Sequence, residues 1–253
     1  MFSADISRQV PAAAPRRTKE IGRAEPCSAC AIRHAAVHNR VDANDFSNLL
    51  GDSTEVVLSS RQTLFTEGDP AKQLYSIRDG AIMVYKMTPD GRRQITGFLF
   101  EGDILGLMSE GKYVCSAEAI TETSLYCYPM LTIENLVKGD PAIERRLLEI
   151  TRHELVEAQE QMLLLGRKTA KERVASFLLK MARHARERGH DDLEISILMS
   201  RDVIGDYLGL TTETVSRTLT AFKRKGLISF IDPHKIQLSD TATLDDIANG
   251  EAG

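Results

Sequence analysis

The sequence predicts an α+β protein with an N-terminal antiparallel β-roll, a long dimerisation helix and a C-terminal winged helix-turn-helix. Three stretches carry that prediction. Val56–Tyr128 breaks into short β-rich runs between turn signals, and Ile133–Leu165 carries an apolar stripe at helical spacing. Met199–Leu227 fits two short helices about a glycine. At 253 residues and 42% hydrophobic content, the chain can bury two compact cores. No apolar run approaches the ~20 residues that a membrane span needs.

The chain divides into a flexible arm (1–47), the roll (48–132), the dimerisation helix (133–166), the winged helix-turn-helix (167–240) and a loose acidic tail (241–253). The arm, with Pro11, Pro15, Arg16 and Arg17, lacks the apolar core of a secretory signal. Four cysteines at uneven spacing without such a signal point to a reducing cytoplasm, so disulfides are not expected. In the roll, runs at Gln73–Ile77, Ala81–Lys86, Arg93–Phe98 and Thr123–Tyr128 alternate with turn signals. These are Glu67-Gly68-Asp69-Pro70, Arg78-Asp79-Gly80, Pro89-Asp90-Gly91 and Glu101-Gly102-Asp103. Turns about a dozen residues apart or closer suit a small antiparallel roll. Tyr85, Arg92 and Arg93, beside the Pro89-Asp90-Gly91 hairpin, read as ordinary surface positions.

Beyond the roll, Ile143, Leu147, Ile150, Leu155, Ala158, Met162 and Leu165 follow a period near 3.5 residues, with one slip after Ile150. A helix of that length with no evident core of its own to face calls for a second copy of the chain. Self-association is expected through Leu147, Ile150, Leu155, Ala158, Met162 and Leu165. A further helix, Lys171–Glu187, turns Val174, Phe177, Leu178 and Met181 inward.

The helix-turn-helix is the most informative segment. Ile204, Tyr207 and Leu208 share the buried face of its first helix. Gly209 supplies the positive φ of the turn, and Thr211 caps the second helix, whose inward face is Val215, Leu219 and Phe222. The outward face shows Thr212, Glu213, Ser216, Arg217, Thr220, Lys223 and Arg224, the expected contacts to double-stranded DNA. Glu213 and Arg217 match the hydrogen-bonding edges of C and G in a major groove, and the basic last turn suits phosphates. Gly226 and the runs Leu227–Ile231 and Ile236–Leu238 read as a C-cap and a wing. Residues 166–226 hold 13 Lys+Arg against 8 Asp+Glu in a chain of net charge −4, which confines the contact with a polyanion to that segment. No nucleophile-elbow, P-loop or dinucleotide glycine motif occurs, so no enzyme is expected.

Roll, long helix and winged helix-turn-helix in that order resemble the cyclic-AMP receptor/FNR family of bacterial transcription regulators. The resemblance rests on Phe65-x-Glu67-Gly68-Asp69, Phe100-x-Gly102-Asp103-x-x-Gly106 and Gly205-Asp206-Tyr207-Leu208-Gly209-Leu210-Thr211-x-Glu213-Thr214-Val215-Ser216-Arg217. Glu213, Ser216 and Arg217 resemble the FNR/FixK-like branch. That implies a homodimer on a TTGAT-N4-ATCAA palindrome, activation through RNA polymerase, and genes of oxygen limitation. The family's cyclic-AMP branch holds the nucleotide phosphate through an Arg-Ser pair. The comparable Gly106–Ala119 offers no arginine and Lys112 alone as a cation, so cyclic AMP is not expected.

The resemblance also implies an oxygen-labile [4Fe–4S] cluster on Cys27, Cys30 and Cys127, with His38 standing where a third N-terminal cysteine is missing. Other inputs stay open. Cys27, Cys30, His34 and His38 could hold Zn²⁺, or the regulator is metal-free and controlled by its own expression. A small effector in the roll is a further reading. Cys115 reads as a small apolar residue.

Overall fold

The computed structural model describes residues 18–19, 53–106, 108–139, 141–191 and 193–251. Cys27, Cys30, His34 and His38 lie outside them. The roll is built from two antiparallel sheets. One orders β1 (Thr18–Lys19), β2 (Thr54–Leu58), β11 (Thr123–Pro129), β4 (Gln73–Asp79) and β7 (Ile104–Leu105). The other orders β3 (Thr63–Phe65), β10 (Ser116–Ala119), β5 (Ala81–Met87) and β6 (Arg93–Phe100), and a small hairpin pairs β8 (Met108–Ser109) with β9 (Lys112–Tyr113). Period-two alternation sends Leu58, Ile77, Ile82, Ala117 and Leu125 into the space between the sheets, where each is essentially inaccessible. Phe65 stacks on Tyr113 there with ring centroids 3.9 Å apart.

The predicted continuous helix from Ile133 is two helices, α1 (Met130–Gly139) and α2 (Pro141–Arg167). Pro141 explains the break. A proline lacks the N–H to continue a helix and restricts the residue before it, yet is well suited to open a new one. The helix after α2 is α3 (Ala170–Glu187), closed at its start by a capping box between Thr169 and Glu172. Next come β12 (Glu194–Ser196), α4 (Arg201–Leu208), α5 (Thr212–Arg224), β13 (Ile228–Asp232), β14 (Lys235–Leu238) and α6 (Thr241–Asn249). The wing is therefore three-stranded, in the order β12-β14-β13. The tail read as loose contains α6. Asp240 accepts a hydrogen bond from the Thr243 N–H at 2.9 Å, and Leu244 and Ala248, one turn apart, are buried in the C-terminal core.

That core does not stop at the domain boundary. Ala81, Met83, Ile95, Phe98 and Phe100 on β5 and β6 belong to the same apolar cluster as Phe177, Leu178, Tyr207 and Val215. Phe98 lies 4.9 Å from the Tyr207 ring and 6.3 Å from that of Phe177. His184 of α3 sits against Phe100 at 5.9 Å, with its Nε2 buried and unpaired. Burial first, then Lys180 and Arg188, hold its imidazole down to about 4.

A folded-state pKa below the ordinary histidine value makes stability fully present above about pH 6.5 and lost as pH falls through about 4, a contribution of about 3 kcal/mol. Urea unfolding at stepwise pH should show this decline in the wild type and a smaller one in His184→Phe. Equal slopes in the two proteins would contradict the assignment.

Candidate nucleic-acid interface

The reading helix α5 is held by its apolar side. Val215, Leu219 and Phe222 are buried at i, i+4 and i+7 beneath it. Thr211 caps it, its hydroxyl accepting from the Thr214 N–H at 3.2 Å. The turn that delivers α5 depends on two glycines. Gly209 closes α4 in the left-handed region at φ +61°, its N–H donating to the Gly205 carbonyl. A Cβ on Gly205 would come 2.6 Å from the Leu210 carbonyl oxygen, so only glycine admits the chain crossing there.

The opposite face of α5 is open. Thr212, Glu213, Arg217, Thr220, Lys223 and Arg224 are exposed and Ser216 is half-buried. Arg217 donates to Glu213 across one helical turn at 2.9 Å, with the two side chains 70% and 82% exposed. Such a solvated pair contributes only about 0.3–0.5 kcal/mol, so both groups can exchange each other for base edges at small cost. The exposed Thr220 donates its hydroxyl to the Ser216 carbonyl at 2.8 Å. At the basic end, the Lys223 ammonium and the Arg201 guanidinium lie 5.5 and 5.6 Å from the centre of the Phe230 ring on the wing. Arg201 and Phe230 were not singled out from the sequence. No local pattern brings a helix start, a helix end and a strand together.

The expected dimerisation stripe divides between exposed and half-buried positions. Leu155 and Met162 are exposed at 59% and 65%, and Ala158 is exposed with them. Leu147, Ile150 and Leu165, expected alongside, are half-buried within their own chain. Leu147 packs against the small cluster of Leu74, Tyr128 and Ile133. Leu165 approaches Gly209. Their places on the exposed surface are taken by Leu148, Val156 and Leu163. Leu148, Leu155 and Met162 fall seven residues apart, the spacing of a coiled-coil seam.

Cys127 lies on β11 on the same side as Leu125, 2% exposed within the apolar core of the roll. Cys27, Cys30 and His38, the other ligands expected for a cluster, lie outside the described residues. Among the described residues, no three His, Cys, Asp or Glu side chains are grouped to hold a metal ion. Cys115 is half-buried and burial raises its thiol to about 11, so it is protonated at neutral pH. In the segment 106–119 the space beside Phe65 is filled by the buried Tyr113, whose hydroxyl donates to the Gln73 carbonyl at 2.8 Å. Among the described residues, no helix is long and apolar enough to cross a membrane.

Comparison with known proteins agrees with this geometry. Residues 172–247 match the model of the Crp-like helix-turn-helix domain, and residues 55–140 match that of the cyclic nucleotide-binding domain. The chain is 39% identical over 223 residues to the nitrogen fixation regulation protein FixK of Bradyrhizobium diazoefficiens, covering 88% of this chain and 93% of that one. It is 33% identical over 232 residues to the transcriptional activator protein anr of Pseudomonas aeruginosa, covering 89% and 93%. The solved structure of FixK2 from Bradyrhizobium japonicum superposes with a TM-score of 0.73 at 39% identity, over 77% of this chain and 96% of that one.

Gly205→Ala should cost about 1–3 kcal/mol, because the new methyl group meets backbone rather than a side chain that can turn away. Thermal unfolding checks it, and an unchanged midpoint would show that the turn can open without penalty.

Proposed function

Because the chain belongs to the CRP/FNR family of bacterial transcription regulators, in its FNR/FixK-like branch, we propose that it is a homodimeric activator of oxygen-limitation genes, such as those of microaerobic respiration, denitrification or nitrogen fixation. It acts by binding a palindrome close to TTGAT-N4-ATCAA. The observation that carries this reading is the solvated Glu213–Arg217 pair on the open face of α5, with Ser216 beside it. Glu213 accepts from the cytosine amino group, Arg217 donates to the acceptors of the paired guanine, and Ser216 contacts a neighbouring thymine. Lys223 and Arg224 lie along the phosphates and set register rather than sequence. The names of the relatives, a nitrogen fixation regulator and a transcriptional activator, support the physiological part.

A two-fold reader suits a palindrome, and the exposed seam of α2 supplies the two-fold contact. Bound to the palindrome, the dimer presents its outer surface to RNA polymerase. The inputs differ in their support. A regulator controlled by its own abundance is favoured over one with the Cys27/Cys30/His38/Cys127 cluster because His38 stands where a third N-terminal cysteine is missing. The filled roll and the arginine-free 106–119 segment favour a roll that works as a scaffold without cyclic AMP.

In a mobility-shift titration at moderate salt, the wild type should shift the TTGAT-type palindrome and leave a scrambled duplex free; equal binding to both would end the sequence-specific reading. Arg217→Ala should lose about 1–3 kcal/mol of discrimination at the G·C pair, whereas Lys223→Ala should weaken every duplex alike and lower the salt slope by about one. Met162→Glu should shift sedimentation from dimer toward monomer, since a carboxylate on the seam must be desolvated opposite its own copy; a dimer of undiminished stability would move the interface elsewhere. Iron and sulfide analysis of anaerobically purified protein decides the input. Stoichiometric iron and sulfide would reverse the cluster-free reading.

A further inference from the structure

Arg173 joins two helix ends that belong to different parts of the chain. Its Nη2 donates to the Leu165 carbonyl at 2.9 Å and its Nε to the Lys168 carbonyl at 2.8 Å, so it closes the C-terminal end of α2. Its Nη1 donates to the Leu208 carbonyl at 2.8 Å and reaches the Gly209 carbonyl at 3.5 Å, so it also closes the C-terminal end of α4. The last carbonyls of a helix have no partner within it and carry partial negative charge, and here one cation serves two such ends at once. A guanidinium presents five N–H donors in a rigid fork, whereas an ammonium radiates from a single atom and cannot span carbonyls that diverge this way. The ends are brought together by a missing side chain. A Cβ on Gly209 would lie 3.3 Å from both Arg173 Nη1 and Leu165 Cδ2.

The consequence lies two residues further on. Gly209 leads through Leu210 to Thr211, the cap of α5, so whatever fixes the end of α4 fixes where the reading helix starts. Gln161 on α2 adds a second tie, donating to the Tyr207 carbonyl at 2.8 Å. The helix that carries the dimer seam and the helix that reads bases are thus joined through side chain to backbone, and not through the Lys168–Thr169 connection alone. Small errors matter at that joint. A helix of 13 residues is about 20 Å long, and a tilt of about 10° at one end carries the other by about 3.5 Å, the rise of one base pair.

We propose that Arg173 is the positioning residue that sets how many base pairs the dimer accepts between its two half-sites. The inference rests on the reading of the chain as a dimeric reader of a palindrome. It assigns Arg173 no contact with DNA, since four of its five donors are directed at protein carbonyls.

The test measures dissociation constants by fluorescence anisotropy on three duplexes, with the half-sites four, three or five base pairs apart, and repeats the four-base-pair titration over a range of salt. Wild-type protein should prefer one spacing by about 100-fold, which also checks the underlying reading; failure to bind any of the three would reject that reading and with it the inference. Arg173→Met and Arg173→Lys should lose about tenfold or more on the preferred spacing, narrow the preference to within about tenfold, remain dimeric and keep the wild-type salt slope. Gly209→Asn provides a second route if the arginine variants fail to fold. Asparagine tolerates the positive φ while its Cβ pushes the two ends apart, and it should narrow the preference in the same way. A uniform loss on all three spacings with the preference ratio unchanged, or a salt slope reduced by about one, would overturn the proposal.

Discussion

Tyr207 lies where the roll, the long helix and the reading head meet, and the rest of the structure depends on how that meeting is satisfied. Its ring is 1% exposed between Phe98 of the roll and Phe177 of α3. Lys180, paired with Glu157 of α2, sits 5.8 Å from the centre of the same ring. The backbone beside it would otherwise be a helix end buried without partners, and three elements relieve that. Gln94 of β6 donates to the carbonyls of Asp206 and Tyr207, Gln161 of α2 to that of Tyr207, and Arg173 of α3 to that of Leu208. Buried carbonyls left without donors are costly, so the joint is held as much by what its loss would expose as by what it gains.

This joint has a cost in independence and a benefit in order. Because Phe98, Phe100 and Ile95 share one apolar cluster with the helices of the reading head, the two domains are packed as one body rather than strung on a linker. Arg93 strengthens the attachment by donating to Asp206 at 3.0 Å, with Glu118 at 3.8 Å on its other side and Tyr85 beneath it at 5.5 Å. These contacts tie the β5–β6 hairpin to α4, the helix on which α5 is mounted. The reading face itself is the opposite kind of surface. Glu213 and Arg217 hold each other loosely in water, and the rigidity of their helix comes from its buried side.

Much of the reading head was legible in the sequence. Val215, Leu219 and Phe222 repeat at the helical period, Gly209 and Thr211 mark the turn and the cap, and the polar readers follow on the other face. Those are local signals, and the local backbone obeyed them. Which apolar residues of α2 face outward was less legible. Leu147 and Leu148 are equally apolar, and only the position of α1 beside the roll decides that Leu147 turns inward while Leu148 faces out. The break at Pro141 was visible in the sequence and outweighed by the apolar period running across it. The helix α6 was missed because its Asp240 cap and its Leu244–Ala248 pair stood within a stretch whose acidity reads as solvated tail.

What the sequence by itself determined is the two helices and turn of the reading head and the polar make-up of the outward face of α5, because periodicity, capping residues and turn glycines act over a few neighbouring residues. What only the tertiary structure decided is how those elements are joined. Arg93 read as surface of a hairpin, and with its neighbour Gln94 it became an attachment for α4 more than a hundred residues away. Arg173 read as one basic residue among many, and it became the shared cap of two helices. Such roles depend on which carbonyls another segment leaves unpaired, and that is settled only when the segments pack.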